Sequence, residues 1–227
     1  MGIRKTVTLG RMMQLLIATK NLKKGGELQA MLAGLPVEIL TLRDFPGASH
    51  VEEDGATLEE NAAKKACEIA RACGLHAVAD DSGLFVNALG GQPGVKSARY
   101  AGPEPTRERL CRKLLREMRD VPDSERGAHF RCCIAMADLA GRIVLTAEGR
   151  VDGTITHEMR GKGGFGYDPV FYYVPAGKTF SEMLPDEKNA VSHRGRALRA
   201  FRDRFLQFVG SGSEAGAGAD RRWKPEP

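Results

Sequence analysis

The sequence predicts an α/β fold of one domain. Short β-branched or apolar runs alternate along the 227 residues with stretches whose apolar positions recur at helical spacing. Hydrophobic residues make up 42% of the chain and charged residues 28%, a composition that supports a sizeable core. We expect the domain to cover residues 13–209, after a flexible extension over residues 1–12 and before a disordered tail over residues 210–227 that is rich in Gly, Ser and Ala.

Three strands and two helices are predicted in the first half of the chain. The strands are Gln14–Thr19, Val37–Leu42 and Ala77–Ala79, and the helices are Lys24–Leu32 and Thr57–Cys73. The second helix has clear ends, because Thr57 and Glu60 form a capping box and Gly74 follows the last turn. The acidic stretch Val51–Gly55 before it is expected to be a loop.

The second half of the chain predicts two helices and three strands. After a glycine-rich loop over Gly90–Gly102, they are the helix Thr106–Met118, the strands Phe130–Asp138, Arg142–Val151 and Val170–Val174, and the helix Ala190–Val209. The last helix carries apolar residues at helical spacing that indicate a core-facing side, namely Leu198, Phe201, Phe205 and Phe208.

Charge, cysteines and apolar runs limit the functional classes. A net charge of +5 and a pI near 9.0 mildly favour an anionic ligand. The basic residues are scattered apart from Lys20, Lys23 and Lys24, so no nucleic-acid partner is expected. The five cysteines show no metal-ligand spacing and indicate reduced thiols in a cytoplasmic protein. No apolar run is long enough to span a membrane, and residues 1–11 do not resemble a signal peptide.

The stretch Gly161–Asp168 holds four glycines within six residues and matches the dinucleotide-binding pattern Gly-x-Gly-x-x-Gly. That pattern requires a helix after the last glycine, so that the helix N-terminus meets the pyrophosphate. Here Pro169 and the predicted strand Val170–Val174 follow instead. We therefore reject the match and interpret the loop as a backbone cradle for an anionic or planar ligand.

Four polar clusters fall at the ends of predicted elements. They are Thr19–Lys24, Glu52–Asp54, Asp80–Gly83 and Ser192–Gly195. Lysines at a helix start favour phosphate, and adjacent carboxylates favour Mg²⁺ because carboxylate oxygens are among its usual ligands. Each cluster also has a plainer interpretation: a solvated charge run, a tight turn at Asp80–Gly83, or a helix cap or surface residue at His193. Together the clusters fit a nucleoside triphosphate better than any other ligand class.

Six longer strings occur in an order that matches a known family. They are Ala18-Thr19-Lys20-Asn21, Glu53-x-Gly55-x-Thr57-x-x-Glu60-Asn61-Ala62, Ala79-Asp80-Asp81-Ser82-Gly83-Leu84, Pro93-Gly94-x-x-Ser97-Ala98-Arg99-Tyr100-Ala101-Gly102, Gly163-Gly164-Phe165-Gly166-Tyr167-Asp168-Pro169 and Ser192-His193-Arg194-Gly195. Over roughly residues 13–209 the chain closely resembles the inosine/xanthosine triphosphate pyrophosphatase family. The resemblance implies a long curved mixed sheet with flanking helices, two lobes around a central cleft, and a homodimer. It also implies Mg²⁺-dependent hydrolysis of deaminated purine nucleoside triphosphates (ITP, dITP and XTP) to the monophosphate and pyrophosphate.

The resemblance further implies roles for individual residues. Triphosphate binding falls to Thr19, Lys20, Asn21, Leu22, Lys23 and Lys24, a substrate contact to Ser82, and nucleoside binding to Phe165, Gly166, Tyr167, Asp168, Lys188, His193 and Arg194. Glu53 and Asp81 match the metal-associated carboxylates, and Asp81 is also the expected proton acceptor, with Asp80 as a second candidate. Either Phe165 or Tyr167 is expected to stack on the base, while Arg194 and nearby N–H groups donate to its 6-keto oxygen.

Lys20 departs from the family pattern, which usually has Gly at this position. If the position needs a positive φ or a close approach to phosphate, the lysine strains the loop and weakens substrate binding. If its side chain points outward, the backbone is unaffected. Two other functions stay open: a nucleotide-binding regulator without hydrolysis, and a nucleic-acid-binding module. The low aromatic content of 6% argues against the second.

Overall fold

The computed structural model of the protein describes residues 12–19, 21–48 and 51–210. One eight-stranded sheet has the order β2-β1-β3-β5-β6-β7-β8, with β4 paired to β3. The strands are Met13–Ile17 (β1), Val37–Thr41 (β2), His76–Val86 (β3), Pro93–Gly94 (β4), Gly127–Ala137 (β5), Ile143–Ile155 (β6), Phe171–Tyr173 (β7) and Lys178–Thr179 (β8). The predicted α/β class and mixed sheet are confirmed. The predicted N-terminal extension and C-terminal tail lie outside the described residues, apart from Met12 and Gly210.

Five helices accompany the sheet, and none in the described part of the chain is long and apolar enough to cross a membrane. They are Leu22–Leu32 (α1), Leu58–Cys73 (α2), Arg107–Glu117 (α3), Pro185–Val191 (α4) and His193–Gly210 (α5). The predicted caps of α2 and α3 are present, because the hydroxyls of Thr57 and Thr106 accept from the backbone N–H three residues on. Gly74 ends α2 with a φ of 63°.

Both faces of the sheet are covered near β1. On one face α2 packs over Leu16, Ala79 and Cys133. On the other face α1 and α5 pack over a neighbouring set that includes Val78 and Cys132. The central strands are therefore apolar on both sides. They lack the alternation of apolar and polar residues that is typical of a strand with one solvent-exposed face. Beyond this region, a third core forms between α3 and the far ends of β3, β5 and β6.

Strand β3 is longer than the sequence indicates. The predicted strand ends at Ala79, and the Asp80–Gly83 segment has a turn as its plainer interpretation. The interpretation of this segment as a turn is wrong, because β5 pairs with β3 without interruption from Ala77 to Val86. The two aspartates therefore lie in a strand, and their side chains point to opposite faces of the sheet.

The other edge of β3 has a gap. Strand β1 pairs with β3 only as far as Val78, and β4 pairs only with Leu84 and Phe85. Within the described ranges, residues 79–83 thus have a strand neighbour on the β5 side alone. The gap places Asp80 and Asp81 at an open edge, where side chains from both faces of the sheet can reach one ligand.

The predicted helix Ala190–Val209 is two helices in the structure. Ser192 separates α4 from α5 in an extended conformation, with φ −68° and ψ 157°. Its hydroxyl then accepts a hydrogen bond from Gly195 N at 3.1 Å, which caps the start of α5. The core-facing side predicted for α5 is confirmed, since Leu198, Phe201 and Phe205 are buried.

We expect Gly149→Ala to lower the free energy of unfolding by roughly 1–3 kcal/mol. A Cβ at position 149 of β6 would lie 2.1 Å from the carbonyl oxygen of His193 and 2.4 Å from Ala197 N, so α5 would have to move off the sheet. Urea unfolding measures the change. As a control, Gly26→Ala in α1 meets nothing within 4 Å and should raise stability by up to about 1 kcal/mol. Equal stability of Gly149→Ala and wild type would contradict the close packing of α5 on β6.

Candidate active site

The candidate site surrounds the gap beside β3. The start of α1 lies at one side of it and the loop before α2 at another. The glycine-rich loop Gly161–Asp168 and the α4–α5 junction complete it. These elements bring together most of the residues predicted from sequence. Lys20 lies outside the described residues, and nothing is described of the Leu22 side chain, so their contributions stay predictions.

The start of α1 carries two lysines, and a side-chain cap holds its first-turn backbone N–H groups. Asn21 is its N-cap, and the side-chain oxygen of Asn21 accepts from Lys23 N at 3.1 Å and Lys24 N at 3.2 Å. The Thr19 hydroxyl accepts from Asn21 N at 3.2 Å. No acidic residue lies in the first turn, so the positive end of the helix dipole is uncompensated. This arrangement favours an anion such as a phosphate group.

A buried charge cluster lies next to this helix start. Asp80 Oδ2 accepts from Lys24 Nζ at 2.9 Å and also from Arg194 Nη1. Arg194 in turn donates through Nε to Glu27 Oε2 at 2.5 Å and through Nη2 to the Lys24 carbonyl oxygen at 2.9 Å. The Arg194 guanidinium is therefore engaged with the protein on three nitrogens, and it joins α1, β3 and α5.

The cluster keeps Asp80 ionised. Burial alone would raise the pKa of Asp80, but the charges of Arg194 and Lys24 outweigh burial and hold that pKa well below its usual value. A carboxylate so strongly stabilised in its charged form is a poor proton acceptor. Of the two adjacent aspartates, Asp80 is thus suited to hold cations in place.

Asp81 has the opposite environment on the other face of the sheet. Its Oδ2 accepts from Asn61 Nδ2 at 3.0 Å, and its Oδ1 accepts from Ser82 N at 2.9 Å. Burial raises the pKa of Asp81 and the negative charge of Glu53 adds to this effect, although Lys65 opposes it. A carboxylate with a raised pKa beside a cleft is well suited to accept a proton.

Glu53 is held close to Asp81 by residues that sequence reasoning missed. Lys65 Nζ donates to Glu53 Oε1, and also to the Asp80 carbonyl oxygen at 2.7 Å. The Asn61 side-chain oxygen accepts from Gly55 N at 2.8 Å, so Asn61 links the Glu53 loop to Asp81. Helical spacing offers a signal for this pair, because Asn61 and Lys65 lie four residues apart on one face of α2.

The donor set around Glu53 and Asp81 fits a hard divalent cation. Burial raises the pKa of Asp81 and the negative charge of Glu53 adds to the rise, and a positive charge between the two carboxylates relieves their repulsion. In the structure Lys65 supplies one such charge. Oxygen ligands of this kind suit Mg²⁺, which usually binds one or two carboxylates together with substrate phosphates.

The glycine-rich loop presents the half-buried Phe165, whereas Asp168, predicted to bind the nucleoside, is buried with 2% exposure and bonds to the loop itself. Asp168 Oδ2 accepts from Phe165 N at 2.7 Å and from Lys188 Nζ at 2.6 Å, and Lys188 Nζ lies 4.2 Å from the centre of the Phe165 ring. Gly164 and Gly166 adopt φ values of 72° and 56°, which permit the tight path of the loop. No helix follows the loop, in agreement with the rejected dinucleotide match.

Tyr167 is not available for base stacking. Its side chain is buried with 3% exposure, and its hydroxyl donates to the Ser97 carbonyl oxygen at 2.9 Å. The predicted stacking role for Tyr167 is therefore corrected to a packing role. Phe165 is only half-buried and is the remaining ring of the pair that can reach a base.

His193 is a buried residue, contrary to its plainer interpretation as a surface or capping side chain. Its ring stacks on Phe130, with centroids 4.5 Å apart and an interplanar angle of 10°. Burial lowers the pKa of His193 well below its usual value, and the charges of Lys188 and Arg194 add to the effect, so the ring is neutral. Its Nδ1 and the Ser82 hydroxyl are buried and make no hydrogen bond to a described residue. Orphaned buried polar atoms of this kind mark positions that a ligand can satisfy.

Comparisons with known proteins place the chain among related sequences. Residues 15–204 match the model of the Ham1 family. A dITP/XTP pyrophosphatase of Geobacter sulfurreducens is 50% identical over 192 residues, covering 85% of this chain and 96% of that protein. The dITP/XTP pyrophosphatase of Syntrophobacter fumaroxidans is 52% identical over 195 residues, covering 86% and 83%.

Two solved structures are similar to the chain in fold. A HAM1 protein from Coxiella burnetii has a TM-score of 0.81 at 39% identity, over 86% of this chain and 100% of that one. A nucleoside-triphosphatase (dITP/XTP pyrophosphatase) from Mycobacterium abscessus has a TM-score of 0.70 at 43% identity, over 83% and 97%.

We expect Asp80→Asn and Asp81→Asn to change stability in opposite directions. Asn at position 80 leaves the buried cations of Lys24 and Arg194 short of a counter-charge, so the free energy of unfolding should fall by roughly 3–5 kcal/mol at neutral pH. The folded pKa of Asp81 lies above its unfolded value, so wild-type stability is lost as the pH rises through the folded pKa. Because Asn does not ionise, the Asp81→Asn variant does not lose this stability as the pH rises.

Urea unfolding at neutral pH and near pH 3 checks both expectations. Asp81→Asn should be at least as stable as wild type at neutral pH, and the difference should vanish near pH 3, where the wild-type carboxyl is protonated in both states. Wild-type stability for Asp80→Asn would contradict the role of the charge cluster.

Proposed function

The chain belongs to the Ham1 family, and we propose that it hydrolyses deaminated purine nucleoside triphosphates, namely ITP, dITP and XTP, to the monophosphate and pyrophosphate. The family resemblance predicted from sequence is confirmed. One observation carries the proposal. The buried carboxylate of Asp81 lies at an open strand edge between a basic helix start and a loop that presents Phe165.

The reaction is NTP + H₂O → NMP + pyrophosphate. A water molecule attacks the α-phosphorus, the bond to the bridging α–β oxygen breaks, and pyrophosphate leaves. Asp81 accepts the proton of the water. Its hydrogen bonds from Asn61 and Ser82 N hold the carboxylate in one orientation, and each of its oxygens keeps a lone pair for this task.

The charge on the triphosphate meets cations on both sides of the gap. Lys23 and Lys24 lie at the start of α1, and Lys65 lies on α2 near Asp81. These groups favour the transition state, because negative charge builds up on the leaving pyrophosphate as the α–β bond breaks. Asp80 holds Lys24 in place for this purpose.

We further propose that Glu53 and Asp81 hold Mg²⁺ in the working enzyme. When bound, the ion supplies positive charge against the phosphate oxygens. The support is the pair of neighbouring carboxylates: burial raises the pKa of Asp81, and the negative charge of Glu53 adds to that rise. Lys65, which donates to Glu53 and to the Asp80 carbonyl oxygen, would hold Glu53 in place beside the ion.

Base selectivity is proposed to come from donors that face the 6-keto oxygen of the purine. The Arg194 side chain is engaged with Asp80 and Glu27, so we assign it to holding the site together and assign base recognition to backbone N–H groups and to His193. The neutral imidazole of His193 offers either a donor or an acceptor at Nδ1. Adenine presents an amino group at the 6 position and leaves such donors unpaired, which disfavours ATP. The homodimer and the cytoplasmic location stay predictions.

Asp81→Asn should keep the fold and lower the kcat for ITP by two to four orders of magnitude, because the proton acceptor is lost. Pyrophosphate release in the presence of Mg²⁺ measures turnover, with dITP, XTP and ATP compared in parallel. Asp54→Asn is the matched control, since Asp54 is an exposed carboxylate of the same region that pairs with Lys64. Near-wild-type hydrolysis by Asp81→Asn, or equal kcat/KM for ITP and ATP, would sink the proposal. Binding of ITP by the wild type without hydrolysis would favour the alternative function, a nucleotide-binding regulator that does not hydrolyse its ligand.

Removal of divalent cations should abolish pyrophosphate release, and added Mg²⁺ should restore it. Glu53→Gln should raise the Mg²⁺ concentration needed for half-maximal activity about tenfold or more, because one of two carboxylates is lost. Isothermal titration of the protein with Mg²⁺ and an uncleaved ITP analogue gives the affinity without relying on activity. Glu52→Gln, an exposed neighbour, is the control. An unchanged Mg²⁺ requirement in Glu53→Gln would remove Glu53 from the metal site.

A further inference from the structure

The glycine-rich loop is fastened by side chains from three other parts of the chain. Arg107 Nη1 donates to the carbonyl oxygens of Lys162 at 3.1 Å and Gly163 at 2.9 Å. The Ser181 hydroxyl donates to the Gly163 carbonyl oxygen at 2.5 Å, and Lys23 Nζ donates to the Gly164 carbonyl oxygen at 3.3 Å. Three successive carbonyls of the loop thus accept hydrogen bonds from side chains.

Arg107 is the most firmly placed of the charged donors. It is the first residue of α3, directly after the N-cap Thr106, and α3 is anchored in the core by the buried residues Leu110 and Leu114. The Arg107 side chain is 28% exposed, whereas Lys23 is exposed and makes a longer bond. A single guanidinium nitrogen on a packed helix therefore fixes two neighbouring carbonyls of the loop.

The loop needs such support because of its composition. Gly161 and Gly164 adopt positive φ values of 79° and 72°, and glycine loses more backbone freedom than other residues when it is held in one conformation. If the loop were free before binding, the nucleoside would have to order it, and the observed affinity would be lower. A side chain that orders the loop beforehand removes this cost.

We propose that Arg107 is a positioning residue for nucleoside binding, which orders the Gly161–Gly166 loop so that Phe165 is presented to the base. This inference rests on the proposed function, because it assigns the loop to the nucleoside part of the substrate. Arg107 touches the backbone of the loop and not the reacting phosphates. Its contribution therefore lies in KM, whereas that of Asp81 lies in kcat.

The test is Arg107→Met, which keeps the aliphatic stem and removes the donors. We expect the KM for ITP to rise about five- to tenfold, with kcat within about twofold of wild type, because ground state and transition state lose the same ordering. The inhibition constant for pyrophosphate should stay unchanged, since pyrophosphate carries no nucleoside. Arg112→Met is the matched control: Arg112 is an exposed arginine of α3 with no hydrogen bond or salt bridge to the described part of the chain.

Hydrogen exchange of the loop amides in the ligand-free protein is a readout that does not depend on activity. Arg107→Met should accelerate exchange at the hydrogen-bonded amides of Gly163 and Phe165 and leave α3 protected, and Arg107→Lys should recover part of the protection. Unchanged exchange and unchanged KM would overturn the inference, as would a parallel rise in the KM for ITP and the inhibition constant for pyrophosphate. If wild type fails to hydrolyse ITP while the exchange result holds, the proposed function fails and the ordering role of Arg107 stands.

Discussion

The site depends on the ion pairs that the carboxylate of Asp80 makes. This carboxylate lies on a strand edge that has no strand partner within the described residues, and it accepts from both Lys24 and Arg194. Arg194 extends the contact to Glu27, so two cations and two carboxylates balance each other in a buried place. Because Lys24 lies in the first turn of α1, this balance also fixes the direction in which that helix start faces the gap.

The neighbouring carboxylate, Asp81, has a different role because its side chain points to the other face of the sheet. Asp81 accepts from the neutral donors of Asn61 and Ser82 N, and burial and the negative charge of Glu53 oppose its ionisation. One residue step along a strand thus separates a permanently charged anchor from a carboxylate that can take up a proton. The same step explains why neither aspartate can replace the other, although both are aspartates at one edge.

Much of this arrangement can be predicted from the sequence, and the limits have physical reasons. Local signals such as the Thr57 N-cap place α2 well, because they depend on a few adjacent residues. The course of β3 through Asp80 and Asp81 is not predictable from propensity, since only the pairing with β5 keeps acidic residues in a strand. The inward orientation of the Tyr167 side chain is not predictable either, because it depends on a hydrogen bond to Ser97, which is 70 positions away.

The placement of two acids on opposite faces also bears on folding fidelity. Near β1 both faces of β3 are covered by apolar side chains, so hydrophobic pattern alone does not distinguish the native strand register from one shifted by a single residue. A shift that brings Ala79 to the place of Asp80 would carry Asp80 towards α2 and away from Lys24 and Arg194, and would leave their charges buried and unmatched. The polar residues that serve catalysis thereby also disfavour mispaired sheets, and a sequence stripped of them would be free to fold in more than one way.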